Sequence, residues 1–147
     1  MRVLRCFGIL CMGLAVVAAG AALSGCCECP VYFAAVARVR LLNWSEPPVP
    51  VYFHFYRHGE PQVPEDALAS GSFVADGDTN EAYATKDGEI FIFYQGSGGG
   101  GYDVHVFVDM DGGGVLTAGD MERLVTVASM EGDYVVEVDY PDFTTVD

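Results

Sequence analysis

The stretch Val108–Leu124, VDMDGGGVLTAGDMERL, gathers Asp109, Asp111 and Asp120 with three consecutive glycines and Thr117. Carboxylate and hydroxyl oxygens at this density suit a hard cation, and calcium takes six to eight oxygen ligands. The alternative is an acidic turn whose glycines permit the bend and whose aspartates face water. Three carboxylates beside a hydroxyl exceed what a turn requires, and they repel one another unless a cation sits between them.

From Asp109 to Asp120 the spacing resembles the twelve-residue calcium loop of EF-hand and dockerin modules. The resemblance implies Asp109 in position 1, Asp111 in position 3, Gly114 at the bend in position 6 and Leu116 as the apolar anchor in position 8. It also implies a carbonyl ligand from Val115 in position 7, Thr117 in position 9 and Asp120 in position 12. Two departures weaken the set: Gly113 brings no side-chain oxygen to position 5, and Asp120 is shorter than the usual bidentate glutamate. The flanks VHVFV and LVTV read as strands, so the expectation is a calcium loop between β-strands, with a dissociation constant of about 10⁻⁴ to 10⁻³ M. A weaker second metal candidate is DGDTNE, where Asp76, Asp78 and Asn80 match positions 1, 3 and 5. There Glu81 stands where the bend wants glycine, and Asp87, in position 12, also belongs to an Asp-Gly turn.

The other chemistry-bearing residues lie on strand-like runs. Tyr52, His54, Tyr56 and His58 share one parity of VYFHFYRH, a possible binding face for a carbohydrate or protein partner. The alternative is that this face packs under a loop, since aromatics suit strands for packing reasons. His54 and His58 stand about 13 Å apart along a strand, too far to share one ion. His105 has Asp103 on its own face. No nucleophile elbow and no phosphate-cradling loop is present, so no catalytic residue is assigned. A hydrolase with dispersed carboxylates stays open as a rival, and it requires a pocket holding an Asp or Glu pair.

These residues need a location and a scaffold. Arg2 and Arg5 precede an apolar run from Cys6 to Leu23, the layout of a secretory signal. It ends in Leu23-Ser24-Gly25-Cys26, which resembles the lipobox of bacterial lipoproteins. The resemblance implies that residues 1–25 are a lipoprotein signal peptide and that Cys26 becomes the lipid-bearing N-terminus, palmitate included. An uncleaved anchor is the alternative, and the processing site argues against it. The residue after the lipidated cysteine is Cys27 rather than aspartate, a pointer in such lipoproteins toward the outer membrane of a Gram-negative envelope. Residues 26–30 form a short tether in which Cys27 and Cys29 are read as free or intermolecular thiols. Without Arg2 and Arg5 the chain keeps 5 basic and 21 acidic side chains, a formal charge of −16. That disfavours nucleic acid and anionic headgroups, so the membrane is held through the lipid.

Residues 31–147 read as one acidic, all-β domain of about eight strands, a single antiparallel β-sandwich after an N-terminal signal helix. Val31 to Leu41 alternates, with Arg38 and Arg40 on the polar face; Val51, Phe53 and Phe55 form another apolar face, as do Val104, Val106 and Val108. Asp87-Gly88 and Met130–Asp133 predict hairpins. Ile90–Tyr94, apolar on both faces, predicts a central strand. The pattern is similar to small immunoglobulin-like or transthyretin-like domains, a likeness of fold alone.

Overall fold

The computed structural model describes residues 32–77, 80–96 and 100–147. The signal, Cys26, the tether with Cys27 and Cys29, and Asp78 lie outside the described residues. The domain is all-β. Its strands are β1 (Tyr32–Leu42), β2 (Val49–Arg57), β3 (Ala69–Ala75), β4 (Glu81–Tyr83), β5 (Thr85–Lys86) and β6 (Glu89–Ile90). They continue with β7 (Ile92–Gly96), β8 (Tyr102–Val108), β9 (Met121–Val127), β10 (Gly132–Asp139) and β11 (Thr144–Thr145). Among the described residues no helix is long and apolar enough to cross a membrane.

Two sheets face each other. The large one runs β11-β9-β8-β2-β3-β5-β6; in the small one β1 has β10 on one side and β4 and β7 on the other. The alternating runs supply the core between them. Ala37 and Val39 of β1, Val51, Phe53 and Phe55 of β2, and Val104, Val106 and Val108 of β8 are all fully buried. Phe93 of the small sheet meets Phe55 and Tyr102 of the large one, with ring centroids 4.9 and 5.2 Å apart. At the other end Trp44 sits edge-on to Tyr140 at 4.7 Å.

Three local expectations change. The Asp87-Gly88 turn forms, with φ of +54° and +84° as a two-residue hairpin requires. Its arms are only two residues long, because the chain changes sheet on either side: Ala84 N–H donates to Ala37 O at 2.8 Å, and Phe91 N–H to Ala84 O at 2.9 Å. Ile90–Tyr94 is therefore no central strand. β7 pairs with β1, and Ile92 and Tyr94 point to solvent. Met130–Asp133 is a crossover between sheets rather than a hairpin, and β10 lies parallel to β1, Ala35 opposite Gly132. All other pairings among the described residues are antiparallel.

The sandwich has two distinct ends. Register places the start of β1, the end of β7, the start of β8 and the ends of β2 and β9 together, since Tyr32 is opposite Gly96 and Tyr102 is opposite Arg57 and Val127. The opposite end carries the start of β2, the end of β8 and the start of β9, where Val108 is opposite Val51 and Met121. The aspartate loop, residues 109–120, leaves from this second end.

Candidate metal centre

The loop joins β8 to β9, antiparallel neighbours whose last pair is Val108 with Met121. Asp109 continues the β8 backbone by donating its N–H to Pro50 O at 3.0 Å, which turns its side chain into the loop. Its Oδ1 accepts the N–H groups of Gly112 and Gly113 at 2.8 and 3.1 Å, and its Oδ2 that of Gly114 at 2.8 Å. Gly112 and Gly114 hold φ of +76° and +77°, a left-handed backbone that favours glycine and directs successive N–H groups inward. Asp120 Oδ1 accepts from Met110 N–H at 2.8 Å, and its Oδ2 accepts from Thr117 N–H at 2.7 Å. Asp111, exposed, takes Gly113 N–H at 2.8 Å.

Asp109, Asp111 and Asp120 each offer an oxygen within 4.8 Å of the others, and among the described residues this is a cluster able to hold a metal ion. Asp109 and Asp120 are each only 1 % exposed. Burial pushes the Asp120 carboxyl up, but the N–H groups of Thr117 and Met110, the Thr117 hydroxyl and the Asp111 backbone outweigh it and hold it below the usual range. Thr117 Oγ1 lies 3.2 Å from Asp111 Oδ2 and 3.1 Å from Asp120 Oδ2. A hydroxyl has one proton, so it can serve only one of these oxygens at a time. Val115, the expected carbonyl donor, is exposed in the same loop.

In the second run Asp78 lies outside the described residues. Asn80 Oδ1 accepts the N–H groups of Asp76 and Gly77 at 3.0 and 3.2 Å, so its oxygen closes the turn.

The aromatic stripe is not an open face. Tyr56 is 2 % exposed, Tyr52 and His54 are half-buried, and only His58 is exposed. The 59–68 connection passes over this side of β2: Glu65 and Asp66 act electrostatically on Tyr56, and burial, more than those charges, raises the Tyr56 hydroxyl. The hydroxyl of Tyr56 and Nδ1 of His54 are buried without hydrogen-bond partners. Tyr52 and His54 stack on Phe107 of β8, ring centroids 5.1 and 6.2 Å apart. Of the two expectations for this stripe, the structure shows the packed one: its rings stack within the protein.

Register decides the histidines' partners, and the sequence did not reveal it. His58 Nδ1 is 2.9 Å from Asp103 Oδ1, and Asp103 also accepts from Gly59 N–H at 3.1 Å and Thr126 Oγ1 at 2.8 Å. Burial raises the Asp103 carboxyl, and these donors more than reverse it. His105 bonds Glu122 at 2.7 Å rather than Asp103.

Open hollows mark the surface of the described residues. One, of about 470 Å³, is lined by Arg57, His58, Tyr94 and Tyr102, with Glu60 as its carboxylate. Another, of about 330 Å³, contains Glu122 and Asp142. Glu122 is engaged by His105, and Asp142 lies 3.8 Å from Arg123. The carboxylates of this hollow are thus engaged with basic side chains. The chain matches no known family model, and no curated protein and no solved structure is significantly similar to it.

Proposed function

We propose that the chain is an exported bacterial lipoprotein, acylated on Cys26, whose acidic β-sandwich has a structural or binding role at the cell envelope. The observation that carries this reading is the joint between sequence and fold. A lipobox closes an apolar run at Cys26, and β1 begins at Tyr32, leaving only a short link between the lipid site and the domain. A clickable palmitate analogue fed to cells expressing the full chain should label the parent and not Cys26→Ser. Equal labelling of both would dismiss Cys26 as the site.

Calcium in the aspartate loop is the second part of the proposal. The donors suit it: carboxylates on Asp109, Asp111 and Asp120, with the Thr117 hydroxyl between two of them. A hard cation would offset the mutual repulsion of two buried carboxylates and leave the hydroxyl proton free for another partner. The ion would brace the β8–β9 connection, as an element of the fold rather than a catalyst. Binding is expected to be weak, about 10⁻⁴ to 10⁻³ M, because Gly113 contributes no side-chain oxygen and Asp111 is exposed.

A further inference from the structure

An exposed apolar strip runs along β6 and β7 toward the end of the sandwich at which β1 enters. Tyr94 is 68 % exposed, Ile90 53 % and Ile92 47 %. Tyr94 and Ile92 stand opposite Ala34 and Val36 on the outer side of the small sheet. β7, which carries two of these residues, pairs with β1 alone among the described residues and has no charged side chain. Edge strands are ordinarily protected by charge, proline or a covering segment. Contiguous exposed apolar surface of this kind marks an interaction site.

We propose that this strip lies in the interfacial layer of the bilayer that holds the lipid on Cys26, so that the domain docks on the membrane by one defined end. The inference rests on the lipoprotein reading above. Four residues separate Cys26 from Val31, and an extended link of that length reaches about 17 Å. Ala34, the cross-strand partner of Tyr94, follows Val31 by three residues, so the strip lies at the anchored end of the chain. Tyrosine beside aliphatic residues suits the boundary between headgroups and acyl chains. Charge favours the same orientation. Near the strip acids and bases are matched, Glu60 sharing the hollow with Arg57 and Asp133, beside Val36, bonding Arg38, whereas Asp109, Asp111 and Asp120 gather at the opposite end. A negatively charged leaflet repels that acidic end.

The test uses the acylated full chain in phosphatidylcholine vesicles whose acyl chains are brominated, with tryptophan placed at Tyr94 or at Val115. Val115 is exposed in the aspartate loop and serves as the distant control. Trp44 is buried and gives both variants the same background. Tyr94→Trp emission should fall about twofold relative to unbrominated vesicles, and Val115→Trp should not change. If the chain floats with the vesicles and Tyr94→Trp is unquenched, the docked orientation is overturned while the anchor stands. Quenching of both variants equally overturns it too. Shielding of Tyr94→Trp that rises with protein-to-lipid ratio and yields cross-linked pairs would assign the strip to a second copy instead. Failure to float, with no label on Cys26, removes anchor and docking together.

Discussion

Asp120 Oδ1 accepts the backbone N–H of Met110 at 2.8 Å, so one side chain ties the end of the aspartate loop to its beginning. Asp109 does the converse, gathering Gly112, Gly113 and Gly114. The loop is therefore organised by its own hydrogen bonds, and an ion would add to an arrangement that already exists.

This fixes how calcium must be measured. With calcium roughly tenfold above its dissociation constant, the ion adds about 1.4 kcal/mol. For residues 30–147 that corresponds to a Tm rise of about 4–6 °C over the value in chelator. Asp109→Ala/Asp111→Ala should melt lower even in chelator, because buried N–H groups lose their acceptor, and should show no calcium response. An identical parent Tm with calcium and with chelator would reduce the loop to an acidic turn.

Acid should weaken the domain through Asp103 and Asp120. Both carboxyls are held below their ordinary value of 3.8 in the folded state. The unfolded chain then binds the more protons, so their stabilisation is complete above about pH 4 and is lost as pH falls through the folded values. Asp103→Asn, which removes the charge and one of the two oxygens that accept from His58, Gly59 and Thr126, should cost about 1–3 kcal/mol at neutral pH and flatten the acid limb. Urea midpoints between pH 2 and 7 would show this. Parallel curves for parent and variant would refute the role of Asp103.

His54 acts in the same direction at milder pH. Burial pushes its imidazole below 6.5, and the neighbouring His105 adds to the shift. Protonation is disfavoured in the folded state, so stability should decline as pH drops below about 6.5. His54→Phe removes the unpartnered Nδ1 and keeps a ring against Phe107. It should be neutral or stabilising by about 1 kcal/mol, with less change in stability between pH 7 and 5. Marked destabilisation at both pH values would mean that the imidazole has an essential polar role.

Gly71 stands opposite Phe53, whose buried ring lies over it. A β-carbon there would collide with three ring carbons. Gly71→Ala is expected to cost about 1–3 kcal/mol, as overpacking of a filled core does. Phe53→Leu in the same background should recover part of that loss in a double-mutant cycle; strict additivity would contradict the packing argument.

The sequence was informative where a pattern reflects local physics. Alternation marked the buried faces of β1, β2 and β8, and Asp87-Gly88 marked a turn with two positive φ angles. The spacing from Asp109 to Asp120 anticipated side chains that do converge. What could not be read was pairing. Ile90–Tyr94 is apolar on both faces because one side meets the core and the other is an exposed strip, and composition does not separate that from a doubly covered strand. Met130–Asp133 has the residues of a turn, but Met130 is buried and its N–H donates to Gln95 Oε1, 35 residues away. The partners of His58 and His105 depend on register between strands far apart in sequence, which periodicity leaves undetermined.

The parallel pairing of β1 with β10 has a temporal consequence. Arg40 and Glu137 meet across that pair although 97 residues separate them. Closing so long a loop is entropically costly and makes a fold of this kind slow to form. In a chain that emerges N-terminus first, the first strand must wait for one of the last. An exported chain of this topology would cross its membrane unfolded almost to the C-terminus before the small sheet could assemble, and the apolar face of β1 would remain exposed to chaperones, proteases and the bilayer throughout that interval.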